Sequence, residues 1–436
     1  LAQSRCGQPQ SRQAQAKAGA RAFPGGPIVS AKNYVFGQRF QWPALNCRMP
    51  LLAVGGALCG FAWGHMELSW LVCVAGAMPL LWSLASSRWW AGAIALAYYL
   101  AASRGLPFGA GIFFAESAPL WFSWALWFAA GLVNALPWFL LWSETPRRKA
   151  WTLPAALALT ALPPVGFIGW VNPLTAAGVL FPGLGFVGLA CLVVGLVLAV
   201  LRRWPAVAIL ASVAVTSNIV ALQAKPEPWV SAWSGQDTAF ARLQTAAAPN
   251  FLAEGQRMAQ VLMIAGQLQP GRVLVMPETV LPRLRQVNDF NASMLADLSA
   301  QLKAKGSAVL VGAEVVGPGH QLQNALVALG DESAPLVQRV PVPIGMWRPW
   351  SAESIAADPL ASGVGLVAGR KVAYSICYEQ LLVFPLLVSM TNDPDLIVGA
   401  ANDWWARETS IPVIQGQALD AWGRLFGLPV VRATNT

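Results

Sequence analysis

A cysteine at the end of an apolar, β-branched segment is the residue in this sequence best suited to nucleophilic chemistry. Cys377 follows the run 372–376, and Glu379 comes two residues later. A thiol becomes a nucleophile when a base takes its proton, and a carboxylate at a neighbouring strand end can be that base. Glu278, which follows the apolar run 273–276, is such a carboxylate. The pattern predicts acyl-transfer or amide-cleaving chemistry at Cys377.

These residues also have more ordinary interpretations. A lone cysteine at a strand end is more often a small buried hydrophobic residue, and a lone glutamate is more often a cap or a solvated charge. The two histidines, His65 near a predicted membrane boundary and His320 in a Gly/Pro loop, disfavour a Cys–His dyad, although His320 stays open. Since the sequence has no metal-ligand spacing and no glycine-rich phosphate loop after a strand, we expect neither metal nor cofactor.

The segments that must position Cys377 and Glu278 alternate in type. From about residue 236, short apolar runs alternate with amphipathic stretches, which is typical of a layered α/β fold. Asn402 follows a further apolar run, 396–401. Polar residues therefore follow three predicted strands, at the ends where α/β folds usually place their chemistry.

The first half of the chain has the composition of a membrane domain. Hydrophobic residues make up 56% of the sequence and charged residues 11%, and residues 1–222 hold three acidic side chains against fourteen basic ones. Sixteen of the 21 tryptophans precede residue 234, many at the ends of apolar runs, as in interfacial belts. Several runs approach the length that crosses a bilayer. They predict spans at 50–64, 68–86, 89–103, 117–142, 150–170, 175–200 and 205–222.

The basic residues predict an orientation and argue against nucleic acid as a partner. They lie at the ends of apolar runs, which is the pattern of membrane topology. The N-terminal segment, Arg88, the cluster 147–149 and the pair 202–203 fall on alternate loops and therefore on one side. About seven spans that start inside place the rest of the chain outside. We expect a multi-pass protein of the bacterial inner membrane with its catalytic domain in the periplasm; one span more or fewer would reverse this.

Composition divides the chain into three parts. Residues 1–48 are rich in Gln, Ala, Arg and Ser and predict a disordered or leader segment, with Met49 as a candidate natural start. Residues 49–222 predict the transmembrane domain, and residues 223–436 the catalytic domain. A signal peptide fits poorly, because no small-residue cleavage site follows and further hydrophobic runs do.

Six short blocks, in order, resemble the nitrilase (carbon–nitrogen hydrolase) superfamily, and within it the membrane-bound apolipoprotein N-acyltransferases. They include Met-Pro-Glu-Thr around Glu278, Val-Pro-Ile-Gly at 342–345 and Ile-Cys-Tyr-Glu around Cys377. The blocks are 276–282, 324–326, 342–345, 376–379, 402–405 and 432–436. The resemblance covers about residue 50 to the end. It implies a multi-span α-helical membrane domain followed by an α/β domain of the αββα sandwich type.

The resemblance also implies a mechanism. Glu278 would take the proton of Cys377, the thiolate would attack a phospholipid acyl ester, and the resulting thioester would pass its acyl group to a lipoprotein or another amine acceptor. The backbone N–H of Tyr378 would stabilise the oxyanion. Glu379 would orient neighbouring groups or form a structural salt bridge. The other supporting residues implied are Asn324 and Asn402.

Two positions depart from the acyltransferase pattern. The family's lysine falls on Gln338, with Arg339 beside it, and no lysine occurs in 306–370. Arg339 can hold an oxyanion by charge, but it cannot shuttle a proton as lysine can. The glutamate that follows Val-Pro-Phe-Gly in the acyltransferases is Met346 here. The stretch 338–347 is more similar to the conjugal-transfer TraB proteins, a plasmid-associated branch of the same superfamily.

The sequence therefore predicts a membrane-bound acyltransferase with Glu278, Arg339 and Cys377 as its catalytic residues. Its partners would be a phospholipid acyl donor, an amine acceptor and the membrane. A first alternative is a conjugal-transfer protein of the TraB type with altered or lost catalysis, which the missing lysine favours. A second alternative is an amidase acting on a small soluble substrate, although such an enzyme has less need of a membrane domain.

Overall fold

In the residues that the structure describes, the first half of the chain is helical, and the second half forms two sheets with their own helices. A computed structural model describes residues 47–115, 118–240, 251–281, 289–351 and 354–436. The predicted leader lies outside these residues except for its last two positions, and the first helix begins at Arg48. The described α-helices are α1 (Arg48–Phe61), α2 (Met78–Ser83), α3 (Arg88–Ala102), α4 (Leu106–Phe113), α5 (Leu120–Leu140), α6 (Pro146–Ala161), α7 (Ala176–Leu180), α8 (Gly185–Val200), α9 (Trp204–Gln223), α10 (Phe251–Gly266), α11 (Asp289–Ala304), α12 (Phe384–Met390) and α13 (Ile411–Phe426).

The helices of the first half follow the predicted apolar runs, but few have the length of a membrane span. Two described helices, Trp121–Leu140 and Trp204–Gln223, are long and apolar enough to cross a bilayer. The pair Pro173–Leu180 and Gly185–Val200 adds a third if it counts as one span bent by 116°. Two shorter stretches are also apolar: α1, and the helical segment Ser69–Ser83, in which the 3₁₀-helix Met66–Ala77 continues into α2. The structure thus supports membrane association by length and composition, and seven spans stay a prediction.

Nine strands in the described residues form two mixed sheets. They are β1 (Trp233–Gly235), β2 (Val273–Val275), β3 (Ala308–Val316), β4 (Leu322–Leu329), β5 (Leu336–Val337), β6 (Val364–Val367), β7 (Arg370–Ile376), β8 (Leu396–Asn402) and β9 (Val430–Asn435). The first sheet has the order β1-β2-β3-β4-β5, with β1 to β3 parallel and β4 and β5 antiparallel. The second has the order β6-β7-β8-β9, with β7 to β9 parallel. A bridge between Thr238 and Asn435 links the two sheets.

Three apolar clusters hold these layers together. One lies between the first sheet and the helices α10 and α11, and includes Met258, Leu298 and Val309. A second joins inward-facing residues of the two sheets, among them Val275 and Val398. The third covers the outer face of the second sheet. Because strands alternate their side chains between faces, β8 supplies both clusters at once: Val398 packs between the sheets, while its neighbours pack outward.

The third cluster continues into the helices of the first half. It contains Trp82 and Tyr98 from that half together with Ile397 and Trp422 from the second. Gly178 of α7 lies so close to α13 that a Cβ atom there would approach the Ala421 carbonyl oxygen to 1.8 Å. The predicted boundary at residue 222 therefore crosses a shared core, and the division into two domains stays a prediction.

Most α/β elements follow the apolar runs of the sequence. Such runs predict strands at 308–316 and 322–329, and β3 and β4 have these bounds. Another run predicts a first strand at 238–245, but β1 lies earlier, the described part of that stretch has a bridge only at Thr238, and residues 241–250 lie outside the description. The strands β5 and β6 are not predicted, because two and four residues are too short to give a periodic signal.

Candidate active site

The ends of β2, β7 and β8 bring Glu278, Cys377 and Asn402 together. Because β7 and β8 are parallel neighbours paired through Ile376 and Ala400, Cys377 and Asn402 emerge at the same edge of the second sheet. The backbone N–H of Asn402 donates to Glu278 Oε2 over 3.1 Å. The chain after β2 thus reaches across from the first sheet, and the predicted convergence of these residues is present.

The backbone that carries Glu278 is held tightly against β3. The N–H of Gly312 donates to the Pro277 carbonyl, and a Cβ atom on Gly312 would meet the Glu278 Cα atom at 2.5 Å. Only glycine fits this approach. The next residue, Thr279, has a φ of +50°, which is rare for a β-branched side chain. Its Oγ1 accepts a 2.6 Å hydrogen bond from Asn402 Nδ2, and this fixes the turn.

Glu278 is buried and has the surroundings of a base that works near neutral pH. Its Oε1 accepts a hydrogen bond from Asn324 Nδ2, and the Cys377 thiol also hydrogen-bonds to the carboxyl group. Burial raises the pKa of Glu278 to about 7, while the hydrogen bonds from Cys377, Asn324 and the Asn402 backbone favour the ionised form. A base with a pKa near the working pH is well matched to proton transfer.

Cys377 occupies a strained and enclosed position. Its φ is +52°, a left-handed conformation that is uncommon for non-glycine residues. Burial raises the pKa of the thiol well above its usual value, and the charges of Glu278 and Asp403 raise it further. The Asn402 N–H acts in the opposite direction. The thiol is therefore almost wholly protonated at rest, and it needs Glu278 to accept its proton during attack.

Gln338, which the resemblance aligns with the acyltransferase lysine, is the residue that completes this cluster. Its Oε1 accepts a 2.9 Å hydrogen bond from Asn324 Nδ2, and its Nε2 donates to the Ile376 carbonyl over 2.9 Å. A neutral amide thus links the Glu278 partner to the end of β7. It can hold geometry, but it supplies neither a positive charge nor a transferable proton.

Arg339 was predicted beside the thiol, and the structure gives its guanidinium other partners. Nη1 donates to the Pro385 carbonyl over 2.7 Å and to Ser389 Oγ over 3.1 Å, both in α12. Nη2 donates to the Tyr374 carbonyl over 3.2 Å. The Gln338 amide contacts Asn324, the partner of Glu278, whereas the Arg339 guanidinium contacts α12 and β7. A role of Arg339 at the oxyanion stays a prediction that these contacts do not support.

Glu379 forms a buried ion pair with Arg339, its Oε1 lying 3.6 Å from the guanidinium Nε. The same oxygen accepts from the backbone N–H groups of Arg339 and Val340, and Oε2 accepts from the Ile376 N–H over 3.1 Å. Burial raises the pKa of Glu379, against the effect of the guanidinium and of these donors. The carboxylate therefore ties the strand end that carries Cys377 to the segment that carries Gln338.

Tyr378 connects the site to the helical half. Its hydroxyl donates to the Phe167 carbonyl over 2.7 Å, and its ring meets the Trp170 ring edge to face at 6.1 Å. These contacts place the residue after Cys377 against the chain that follows α6. The predicted use of its backbone N–H at an oxyanion stays a prediction.

An apolar cavity of about 270 Å³ opens onto Cys377. One wall comes from the helical half and includes Ala110 of α4 and Val133 of α5. The other comes from the second half and includes Ile344 and Trp405. Since hydrocarbon surface prefers such surroundings to water, the cavity suits an acyl chain better than a small polar amide.

Two further residues, Asp403 and Gln415, belong to the site and were not among the predicted site residues. Asp403 follows Asn402 and is fully buried, and in its ionised form it raises the pKa of the Cys377 thiol. Gln415 lies on α13 in the cavity wall, with its amide 3.3 Å from the Cys377 carbonyl. The position of Asp403 after β8 was a usable signal, whereas nothing local marks Gln415. Within the described ranges, no group of three or more His, Cys, Asp or Glu residues could hold a metal ion.

Comparisons with known proteins connect the chain with conjugation. No family model matches the sequence. It is 35% identical over 395 residues to "Conjugal transfer protein TraB" of Agrobacterium fabrum, covering 86% of this chain and 89% of that protein. It is 34% identical over 379 residues to "Probable conjugal transfer protein TraB" of Sinorhizobium fredii, covering 84% of this chain and 92% of that protein. An uncharacterised protein from outside the virF region of Agrobacterium tumefaciens is 40% identical over 83 residues, covering 19% of this chain and 53% of that protein. None of these names includes an enzymatic activity.

Proposed function

Because this chain belongs to the family of the conjugal transfer TraB proteins, we propose that it serves conjugal transfer as a membrane protein whose Cys377 takes an acyl group from a lipid. The observation that carries the proposal is the apolar cavity that opens onto Cys377. The buried Glu278 at the thiol supplies the base that such a reaction requires. The layered α/β half, with these residues at its strand ends, agrees with the resemblance to the nitrilase superfamily.

The reaction balances with groups of this chain. Glu278 accepts the thiol proton as the Cys377 sulfur attacks the ester carbonyl. The tetrahedral oxyanion collapses, the ester C–O bond breaks, and Glu278 returns the proton to the departing alcohol oxygen. An amine acceptor then attacks the thioester carbonyl while Glu278 takes a proton from its nitrogen. The C–S bond breaks, Glu278 returns that proton to the Cys377 sulfur, and the amide leaves, which gives ping-pong kinetics. The Tyr378 N–H is the donor that we propose for the oxyanion.

Gln338 supports a second candidate function, in which catalysis is altered or lost. The site has two buried carboxyl groups, Glu278 and Asp403, and a neutral amide where the related enzymes have lysine. Without a positive charge, formation of a thiolate beside these carboxylates is unfavourable. In this alternative the cavity binds an acyl chain without turnover, and the protein serves conjugation by binding or assembly.

A thioester trap separates the two candidates. The protein, in vesicles with a phospholipid that carries a labelled acyl chain, is denatured and treated with hydroxylamine, which cleaves thioesters. We expect label that hydroxylamine releases on the wild type and none on Cys377→Ala. A matched control is Cys191→Ala, which removes a thiol of α8 outside the cavity and is expected to keep the label.

The other outcomes of this experiment distinguish the remaining alternatives. If the wild type stays unlabelled while Gln338→Lys becomes labelled, the second candidate is correct, because the restored cation supplies what the site lacks. If neither is labelled and soluble amides are hydrolysed without lipid, the protein is an amidase. Equal label on the wild type and on Cys377→Ala contradicts acylation at this residue.

We also propose that the protein lies in the inner membrane with its α/β half in the periplasm. Two helices suited to crossing a bilayer and the basic residues on alternate loops support this location. Alkaline phosphatase fused after Ala232, beyond α9, is expected to be active, because that enzyme folds only where its disulfides form. An inactive fusion of normal abundance would place the second half inside the cell.

A further inference from the structure

Asp403 is a buried carboxyl group to which the acyl-transfer scheme gives no task. Its side chain has no exposure, and its backbone is fixed because its N–H donates to the Asn435 carbonyl over 2.7 Å while its carbonyl accepts from the Ala406 N–H over 2.8 Å. Two titratable groups interact with Asp403 electrostatically: the charge of Glu278 raises the pKa of Asp403, and an ionised Asp403 raises the pKa of Cys377. Two carboxyl groups thus lie near one thiol, and the neutral Gln338 supplies no positive charge to balance them.

The Gln415 amide lies between Asp403 and the nucleophile. One of its terminal atoms is 2.5 Å from Asp403 Oδ2 and 3.2 Å from Oδ1. The other is 3.3 Å from the Cys377 carbonyl oxygen. An amide has one donor end and one acceptor end, so its orientation depends on what the two neighbours offer.

The two orientations differ in the charge they require of Asp403. If the NH₂ group faces an ionised Asp403, the amide oxygen faces the carbonyl oxygen of Cys377, and two acceptors meet in a buried place. If the amide oxygen faces Asp403, a protonated carboxyl donates its O–H to it, and the NH₂ group donates to the Cys377 carbonyl. The first arrangement satisfies an ionised Asp403, but only the second gives the Cys377 carbonyl its donor from this amide, and it requires a neutral Asp403.

The distribution of donors agrees with this assignment. Glu278 accepts from Asn324 Nδ2, the Asn402 N–H and the Cys377 thiol, and three donors favour an ionised carboxylate. A second charge close by is then disfavoured. Burial, followed by the charge of Glu278, raises the pKa of Asp403 to about 8, and both effects outweigh a hydrogen bond from the Gln415 amide, which lowers the pKa. The pair therefore shares one proton near neutral pH, and that proton belongs on Asp403.

We infer that protonated Asp403 is a positioning residue: its O–H holds the Gln415 amide, and that amide holds the carbonyl of Cys377 in its left-handed turn. The inference deepens the proposed acyl transfer and rests on it for its effect on rate. When Asp403 loses its proton to solvent, the amide must turn its NH₂ group towards the carboxylate and release Cys377. A second negative charge then stands beside the thiol and opposes its ionisation.

The rate of Cys377 acylation should therefore fall on the alkaline side. At about one pH unit above the pKa of Asp403, about one site in ten keeps the proton, so that the wild-type rate drops about tenfold. Asp403→Asn offers a permanent N–H to Gln415 Oε1, and we expect its rate to show no such fall. Asp420→Asn, on α13 and 43% exposed, is the matched control and should keep the wild-type profile.

Infrared spectroscopy tests the proton without any lipid donor. We expect a carboxylic acid C=O band in the wild type that titrates near pH 8 and is missing in Asp403→Asn. If Asp403→Asn does not fold, Gln415→Leu replaces it, since loss of the O–H acceptor must move the band. A wild type without the band, or an Asp403→Asn variant with an unchanged alkaline fall, overturns the inference. If the band is present but neither the wild type nor any variant forms a thioester, the proton on Asp403 is supported and acyl transfer is contradicted.

Discussion

Replacing Glu278 with glutamine is expected to slow acylation of Cys377 by about 10²–10⁴-fold, the usual contribution of a general base. The glutamine keeps an oxygen that can accept from Asn324 Nδ2, but its NH₂ group cannot accept from the Asn402 N–H. It cannot take the thiol proton, and burial already holds the pKa of Cys377 well above its usual value. Few thiolates form without the base, and the rate falls accordingly.

The measurement is the initial rate of thioester formation against pH. The wild-type rate should rise through about pH 7, where Glu278 loses its proton, and Glu278→Gln should lack this rise. Glu408→Gln removes an exposed carboxylate from the loop after β8 and should behave as the wild type. A Glu278→Gln variant with normal thermal stability and a wild-type rate would remove Glu278 from the mechanism.

The largest expected effect on stability comes from Glu379→Gln. Arg339 is buried, and the change leaves its charge without a carboxylate, while the new NH₂ group cannot accept from the Ile376 N–H. Breaking a buried ion pair on one side costs about 3–5 kcal/mol of unfolding free energy. Since Glu379 joins the Cys377 turn to the segment of Gln338, thiol reactivity should fall as well.

Thermal unfolding in one detergent and at one protein concentration checks this expectation. The matched control is Glu332→Gln, which breaks a surface pair with Lys303, and we expect no measurable shift in Tm. Arg339→Met combined with Glu379→Gln should recover part of the loss, because no unpaired charge remains. If Glu379→Gln and Glu332→Gln have equal Tm values, the pair does not stabilise the fold.

The sequence predicts those residues of the candidate site that lie directly after a strand. Glu278, Cys377 and Asn402 all follow apolar runs, and parallel strands bring their carboxyl ends to one edge. The choice between Gln338 and Arg339 was not predictable in this way. The two residues are adjacent, and which of them faces Glu278 depends on the register of β5 against β4, which composition does not specify.

Residues that act through tertiary contacts were harder to find. Gln415 lies in the middle of an amphipathic helix, and its meeting with Asp403 depends on how α13 packs on the second sheet. Apolar runs likewise predicted where helices occur in the first half but not their lengths. Pro163 and Pro164 follow the end of α6 inside the predicted span 150–170, and Pro173 precedes α7, as expected of residues that break helices.

Because both halves of the chain line the cavity, the candidate site cannot be studied in the second half alone. A shortened chain that began near residue 223 would keep Cys377 and Glu278 but lose the wall supplied by α4 and α5. It would also turn the apolar side of α13, including Trp422, towards water. We expect such a fragment to aggregate, which would prevent measurement of its reaction with lipid. Purification tags and solubilising truncations must therefore spare both halves, and bilayer mimetics belong in every experiment from the first step.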